Sequence, residues 1–141
     1  MIAVDTNVLV YAASVGPFNA RARRLLTELA GGSAAWGVPW PCVYEFLRLV
    51  THVRAPARLG SAAAWSFIEA LFGSPQARPF AETAAHGEVL KRVLAESGAT
   101  GNLVFDAHIA ALCVEHGVTE LYTGDKDFHR FRGFKLTNPF A

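Results

Sequence analysis

Met1-Ile2-Ala3-Val4-Asp5-Thr6-Asn7-Val8-Leu9 opens the chain, and the reading of this stretch decides the fold. A short apolar run followed at once by Asp-Thr-Asn describes a buried strand that turns directly into a helix. Asp5-Thr6-Asn7 offers N-cap chemistry for a helix over Val8 to Ala13. The same alternation continues downstream. Ser33 to Val38, Ala77 to Phe80, Glu120 to Thr123 and Phe134 to Leu136 read as further strands. Helices are expected from Pro17 to Ala30, Pro39 to Val53, Ala62 to Phe72, Thr83 to Ser97 and Asn102 to His116, the last stopped by Gly117. Short apolar strands alternating with helices imply a parallel sheet covered on both faces. The expectation is one α/β domain over residues 1–141, with a central parallel sheet of four to five short strands and about seven flanking helices in an α/β/α arrangement. Ligands of such sheets bind beyond the carboxyl ends of the strands, where Asp5 and Asp125 both belong.

Composition narrows the class. An apolar fraction of 52%, a mean hydropathy of +0.24 and only 18% charged residues argue against disorder and for a filled core, with apolar surface to spare for a partner. No apolar stretch approaches the roughly 20 residues of a membrane span, and no leader pattern precedes a cleavage site. Cys42 and Cys113 sit in apolar helical context and read as buried free thiols. A soluble cytoplasmic protein is expected. A net charge of +1 excludes a uniformly basic nucleic-acid binder but leaves room for a local positive surface. Ten of the thirteen basic residues are arginines, which suit bidentate contact with phosphate and equally fit a GC-rich genome.

The chain has only four aspartates, Asp5, Asp106, Asp125 and Asp127, none in an ordinary surface position. Asp106 interrupts an apolar helix. At about 100° per residue it falls near Leu103, Ala110 and Cys113, opposite His108 and Glu115, and an inward carboxylate needs a cation, donors or a raised pKa. His108 reads as a solvent-exposed side chain. Short, stiff aspartates at strand ends are suited to fixing a hard divalent cation. Each of Asp5 and Asp125 could equally be a simple N-cap; their joint placement favours a metal pocket. Glu45 shares a helix stripe with Arg48 and His52, which is also what a solvated face with an i,i+3 ion pair looks like.

Four stretches in order resemble one family: Val4-Asp5-Thr6-Asn7-Val8-Leu9, Glu45-Phe46-Leu47-Arg48-Leu49-Val50-Thr51, Asn102-Leu103-Val104-Phe105-Asp106-Ala107-His108 and Thr123-Gly124-Asp125-Lys126-Asp127-Phe128, with a closing Asn138-Pro139. Together they resemble the PIN-domain ribonucleases, particularly the VapC-type toxins of bacterial toxin–antitoxin operons, over essentially the whole chain. The resemblance implies a PIN-like fold and a metal-dependent endoribonuclease leaving a 5′-phosphate and a 3′-hydroxyl. It implies catalytic acids at Asp5, Glu45, Asp106 and Asp125, with Asp5, Asp106, Asp125 and Asp127 around Mg²⁺, for which Mn²⁺ can substitute. Asp125 and Asp127 compete for the fourth place. Thr6, Asn7 and Thr123 would brace the acids. The implied partners are an RNA substrate (tRNA, rRNA or mRNA), a cognate VapB-like antitoxin and a second copy of the chain as a homodimer.

An acidic pocket repels phosphate, so affinity must come from basic residues: Arg21, Arg23 and Arg24 on the second helix, Arg48 and Arg54 near Glu45, and Lys126, Arg130 and Arg132 beyond the acidic loop. Trp36, Trp40 and Trp65 read as core or interface. The competing enzyme is a phosphatase-type phosphohydrolase with a strand-end Asp nucleophile, which wants a second Asp where Asn7 stands. A receiver-like or otherwise non-catalytic binding module is the competing non-enzyme, and Lys126 is poorly placed for it.

Overall fold

The computed structural model describes residues 1–141. Strand β1 (Ile2–Val4) is flanked by parallel β2 (Trp36–Pro39) on one side and parallel β4 (Glu120–Tyr122) on the other. Beyond them lie β3 (Ala77–Phe80) and β5 (Lys135–Thr137), giving the order β3-β2-β1-β4-β5, parallel throughout. The chain builds outward from β1 in one direction and then returns to build in the other. That makes the gap between the β1 and β4 carboxyl ends the switch point where such sheets open a crevice. Register pairs Val4 with Tyr122, so Asp5 and Thr123 leave the sheet at the same level.

The helices are α1 (Thr6–Ala13), α2 (Asn19–Gly31), α3 (Trp40–Thr51), α4 (Ser61–Phe72), α5 (His86–Ser97) and α6 (Leu103–Glu115). Six α-helices stand against the seven or so expected; the remaining helical segment is a 3-10 turn over Lys126–Arg130, which the sequence reading left as loop. Asp5 is the N-cap of α1, as its sequence suggested, and Gly117, with φ 69°, follows α6 in the left-handed conformation that a β-carbon disfavours. Three element starts moved inward by two residues or more. Pro17 and Phe18 form a turn before α2, β2 starts only at Trp36, and α5 starts at His86. Thr83 caps the turn before α5 by accepting from Ala85 N, which takes Thr83-Ala84-Ala85 out of the helix.

The core gathers both faces of the sheet: Val4, Trp36, Val38 and Leu121 from strands, with Val8, Leu9, Phe46, Ile68 and Leu112 from helices, all buried. Trp36 is a core residue, while Trp40 is half-buried and Trp65 lies on the surface with its Nε1–H donated to Glu69. Gly37 in β2 has no space for a side chain. A β-carbon there would sit 2.3 Å from the Arg78 carbonyl oxygen and 2.6 Å from the Phe80 ring. No helix is long and apolar enough to cross a membrane.

Candidate active site

Asp5 is buried, and every oxygen of its carboxylate is engaged. Oδ1 accepts from Thr6 N at 2.7 Å and Cys42 Sγ at 3.4 Å; Oδ2 accepts from Thr123 Oγ1 at 2.7 Å and Asn7 Nδ2 at 3.1 Å. Asn7 also donates to Thr123 Oγ1, and Gly124 N donates to Asn7 Oδ1. Thr123 accepts from Asp125 N, which ties the loop after β4 to the end of β1. Thr6, Asn7 and Thr123 each hydrogen-bond a carboxylate of this group. Cys42 joins them. The buried thiol was legible, but nothing in its spacing marks Asp5 as its partner.

Glu45 projects from α3 and is exposed, as a solvated face would be. Its Oε2 nevertheless receives Thr6 Oγ1 at 3.3 Å, so α3 delivers it to the mouth of the Asp5 pocket. Asp5, Glu45, Asp106 and Asp125 line one cavity of about 520 Å³. Carboxylate oxygens of Asp106, Asp125 and Asp127 lie within 4.8 Å of one another. Asp125 lines the cavity, whereas Asp127 belongs to the oxygen cluster and not to the lining. Asp125 also caps the 3-10 turn by accepting from Asp127 N at 2.9 Å. Capping and site membership, which read as alternatives in sequence, coincide at both Asp5 and Asp125.

Burial pushes the Asp5 carboxyl up from the usual range, with the Glu45 charge adding to it, against the pull of its hydrogen-bond donors. Asp106 is pushed up to about 6, first by burial and then by the charges of Asp125, Asp5, Asp127 and Glu45. None of the protein's ion pairs brings a lysine or arginine to these acids. The donor set is all oxygen and strongly anionic, and no ion pair to a lysine or arginine offsets its mutual repulsion. That set fits a small hard divalent cation and would not suit a soft one.

The other wall of the cavity is apolar: Val10, Tyr11, Phe18, Leu49 and Phe140, with Asn138 beside them. Tyr11, Phe18 and Phe140 pack ring to ring at 4.9–5.1 Å. No periodicity marks this cluster, because Phe140 reaches Tyr11 and Phe18 from the opposite end of the chain. A second cavity of about 970 Å³ adjoins on the far side of Glu45 and Asp106, and is lined also by Tyr44, Arg48, Phe105 and His108.

The basic candidates separate. Arg48 lines the second cavity with Glu45 and Asp106. Arg21 donates to the Phe140 carbonyl, behind the aromatic wall. Lys126 flanks a shallow depression with Asp125 and His129. Arg24 and Arg130 are exposed and line neither cavity. His108, expected at the solvent-exposed surface, is partly exposed there, and its Nε2 lies 2.7 Å from Glu82 Oε1, because the connection after β3 folds across α6.

The PIN domain profile matches residues 2–133. The chain belongs to the PIN-domain family, in its VapC branch. This PIN domain is 33% identical over 139 residues to ribonuclease VapC48 of Mycobacterium tuberculosis, covering 97% of this chain and 96% of the relative. It is 35% identical over 140 residues to ribonuclease VapC37 of the same species, covering 98% and 96%. Among solved structures, the PIN fold seen here superposes on FitAcB from Neisseria gonorrhoeae with a TM-score of 0.71 at 21% identity, covering 99% of both chains. VapBC2 from Rickettsia felis, bound to a promoter DNA fragment, follows at 0.69 and 20%, covering 98% of both.

Proposed function

We propose that this PIN domain, acting over residues 1–141 as one unit, is an endoribonuclease toxin dependent on Mg²⁺ or Mn²⁺ and silenced by a cognate antitoxin. The observation that carries this reading is the convergence of Asp5, Glu45, Asp106, Asp125 and Asp127 at the sheet's switch point, with no lysine or arginine ion-paired to any of them. The ribonuclease names of its sequence relatives supply the reaction.

Asp5, Asp106, Asp125 and Asp127 would hold the cation. When bound, it supplies Lewis acidity toward a phosphoryl oxygen and lowers the pKa of a water. Asp5 is held in one orientation by Thr6, Asn7, Thr123 and Cys42, so its carboxylate is preorganised. Glu45, exposed at the mouth, is free to orient an attacking water and accept its proton. Asp125 takes the fourth catalytic place ahead of Asp127, because it lines the cavity. In-line attack at phosphorus with departure of the 3′ oxygen leaves a 5′-phosphate and a 3′-hydroxyl. Arg48 is best sited to hold RNA phosphate, Arg21 stands behind the aromatic wall, and Arg24, Lys126 and Arg130 extend the contact outward.

The partners follow from the surface. Tyr44, Leu49 and Phe105 are exposed on the walls of the two cavities, Val53 and Val104 are exposed near them in sequence, and Val15 is 98% exposed. Such apolar surface is costly to leave in water; an antitoxin segment lying across the cavities and a second copy of the chain would cover it. VapBC2 is a toxin–antitoxin pair by name, which supports the first. A cytoplasmic location follows from an RNA substrate.

Incubating the purified protein with total RNA and Mn²⁺, beside Asp5→Asn and Asp106→Asn, tests the reading. Metal-dependent cuts with 5′-phosphate ends, lost in both variants, are expected. Equal cutting by the variants would sink it, and 2′,3′-cyclic phosphate ends would reject the metal-assisted mechanism.

A further inference from the structure

A cluster of titratable side chains lies apart from the acids, where the β3–α5 connection crosses α6. Glu82 sits in that connection, His86 opens α5 and His108 projects from α6. One ligand atom from each of the three lies within 4.8 Å of the others. His108 Nε2 and Glu82 Oε1 are 2.7 Å apart, and the two imidazole rings meet edge to face at 5.3 Å. Behind them stands Glu115, with no exposed side-chain surface; its Oε2 is 2.6 Å from His86 Nδ1. Its other oxygen accepts from Thr83 N at 2.9 Å and Thr83 Oγ1 at 2.8 Å.

This is the layout of a transition-metal site. A covered carboxylate on Nδ1 fixes the tautomer of His86 and leaves the Nε2 lone pair for an ion, as second-layer carboxylates do behind metal-bound histidines. Thr83 in turn fixes Glu115. Ligand atoms about 2 Å from a shared zinc ion sit roughly 3–4 Å apart, so small side-chain rotations that part His108 from Glu82 and draw in the wider pairs fit the group to one ion. Two imidazoles and one carboxylate select zinc-class ions over magnesium.

We propose that Glu82, His86 and His108 form a metal site for a divalent ion of the zinc class, oriented by Glu115 and separate from the acidic centre. Bound there, the ion clamps the β3–α5 connection to α6, the helix that carries Asp106. It also sets positive charge on the wall of the cavity that Glu82 and His108 share with Arg48 and Asp106. The site stands independently of the nuclease reading, because its signature is binding and not cleavage.

The test uses the full chain with Asp106→Asn and Asp125→Asn, which removes two of the three clustered aspartates of the acidic centre. Zn²⁺ is titrated against a chromophoric chelator in excess Mg²⁺. One equivalent is expected to bind, His86→Asn and His108→Asn each weakening it at least 100-fold, and Glu115→Gln weakening it about 10–100-fold. Imidazole ¹⁵N spectra of the same background, with and without Zn²⁺, give an answer that needs no histidine variant. Changes at His86 and His108 nitrogens support the site. No zinc binding in this background, undiminished binding by the histidine variants, or zinc-induced changes confined to other histidines would each overturn it.

Discussion

Asp5 and Asp106 carry the same functional group in opposite circumstances. Asp5 is buried but answered by four donors; Asp106 is half-open and faces carboxylates. A carboxyl whose pKa is raised in the folded state binds its proton more tightly there than in the unfolded chain. Its contribution to stability is therefore present at low pH and is lost as pH rises through the folded value. In EDTA-treated protein, the melting temperature should fall more steeply than in Asp106→Asn between about pH 4 and pH 6, the window between the ordinary Asp value of 3.8 and the folded Asp106 value of about 6. At pH 8, Asp106→Asn should melt about 2–4 °C higher, the response to roughly 1 kcal/mol in a domain this size, a figure kept low by solvent screening. Mg²⁺ competes with the same proton, so its affinity should weaken as pH drops below about 6, which calorimetric titration at stepped pH would read. Thr123 is the hub of the neutral groups: its hydroxyl serves Asp5, Asn7 and Asp125 N at once. Thr123→Val should cost about 1–3 kcal/mol by stranding these partners, with Thr123→Ser keeping most of it, as denaturant unfolding would show.

At the scale of elements, β2 is where the sheet tolerates least. It lies between β1 and β3, and Gly37 lets the Phe80 ring and the Arg78 carbonyl close against the strand. Gly37→Ala should destabilise by roughly 3 kcal/mol through overpacking, lowering the melting temperature by about 10 °C and leaving any Mg²⁺ affinity of the folded fraction unchanged. The helix starts are equally specific. Asp5 and Asp125 each begin a helical segment while presenting a carboxylate to the cavity, so the fold positions its acids by the same hydrogen bonds that terminate its strands. Two of the element boundaries that moved from expectation, at Pro17 and Thr83, are places where a turn takes over from periodicity or a side chain bonds the backbone locally. Thr83 shows the competition directly, since its hydroxyl is spent on Ala85 N and Glu115.

At the scale of the molecule, a net charge of +1 means that RNA must be drawn by a few local cations. Binding of labelled single-stranded RNA to Asp5→Asn protein should weaken with salt, and Arg48→Ala should shallow the log–log slope by about 0.7, the value of one lost phosphate contact on single strands. An unchanged slope would move the RNA path away from Arg48. The amino-acid sequence by itself determined the alternation of strands and helices, the parallel sheet and the placement of Asp5 and Asp125 at strand ends, because hydrophobic period and cap chemistry are properties of neighbouring residues. It also marked Asp106, because a carboxylate inside an apolar helix conflicts with its own surroundings. Only the tertiary structure decided the rest. Glu45 has the spacing of any solvated helix face, and packing alone sets it against Thr6. Asp125 reaches the cavity and Asp127 does not, a difference two neighbouring loop aspartates do not show in sequence. Phe140 reaches Tyr11 and Phe18 from the other end of the chain, and Glu82 and His86 meet His108 and Glu115 only because the β3–α5 connection folds against α6. Such meetings depend on how helices dock on the sheet, and no local spacing records that geometry.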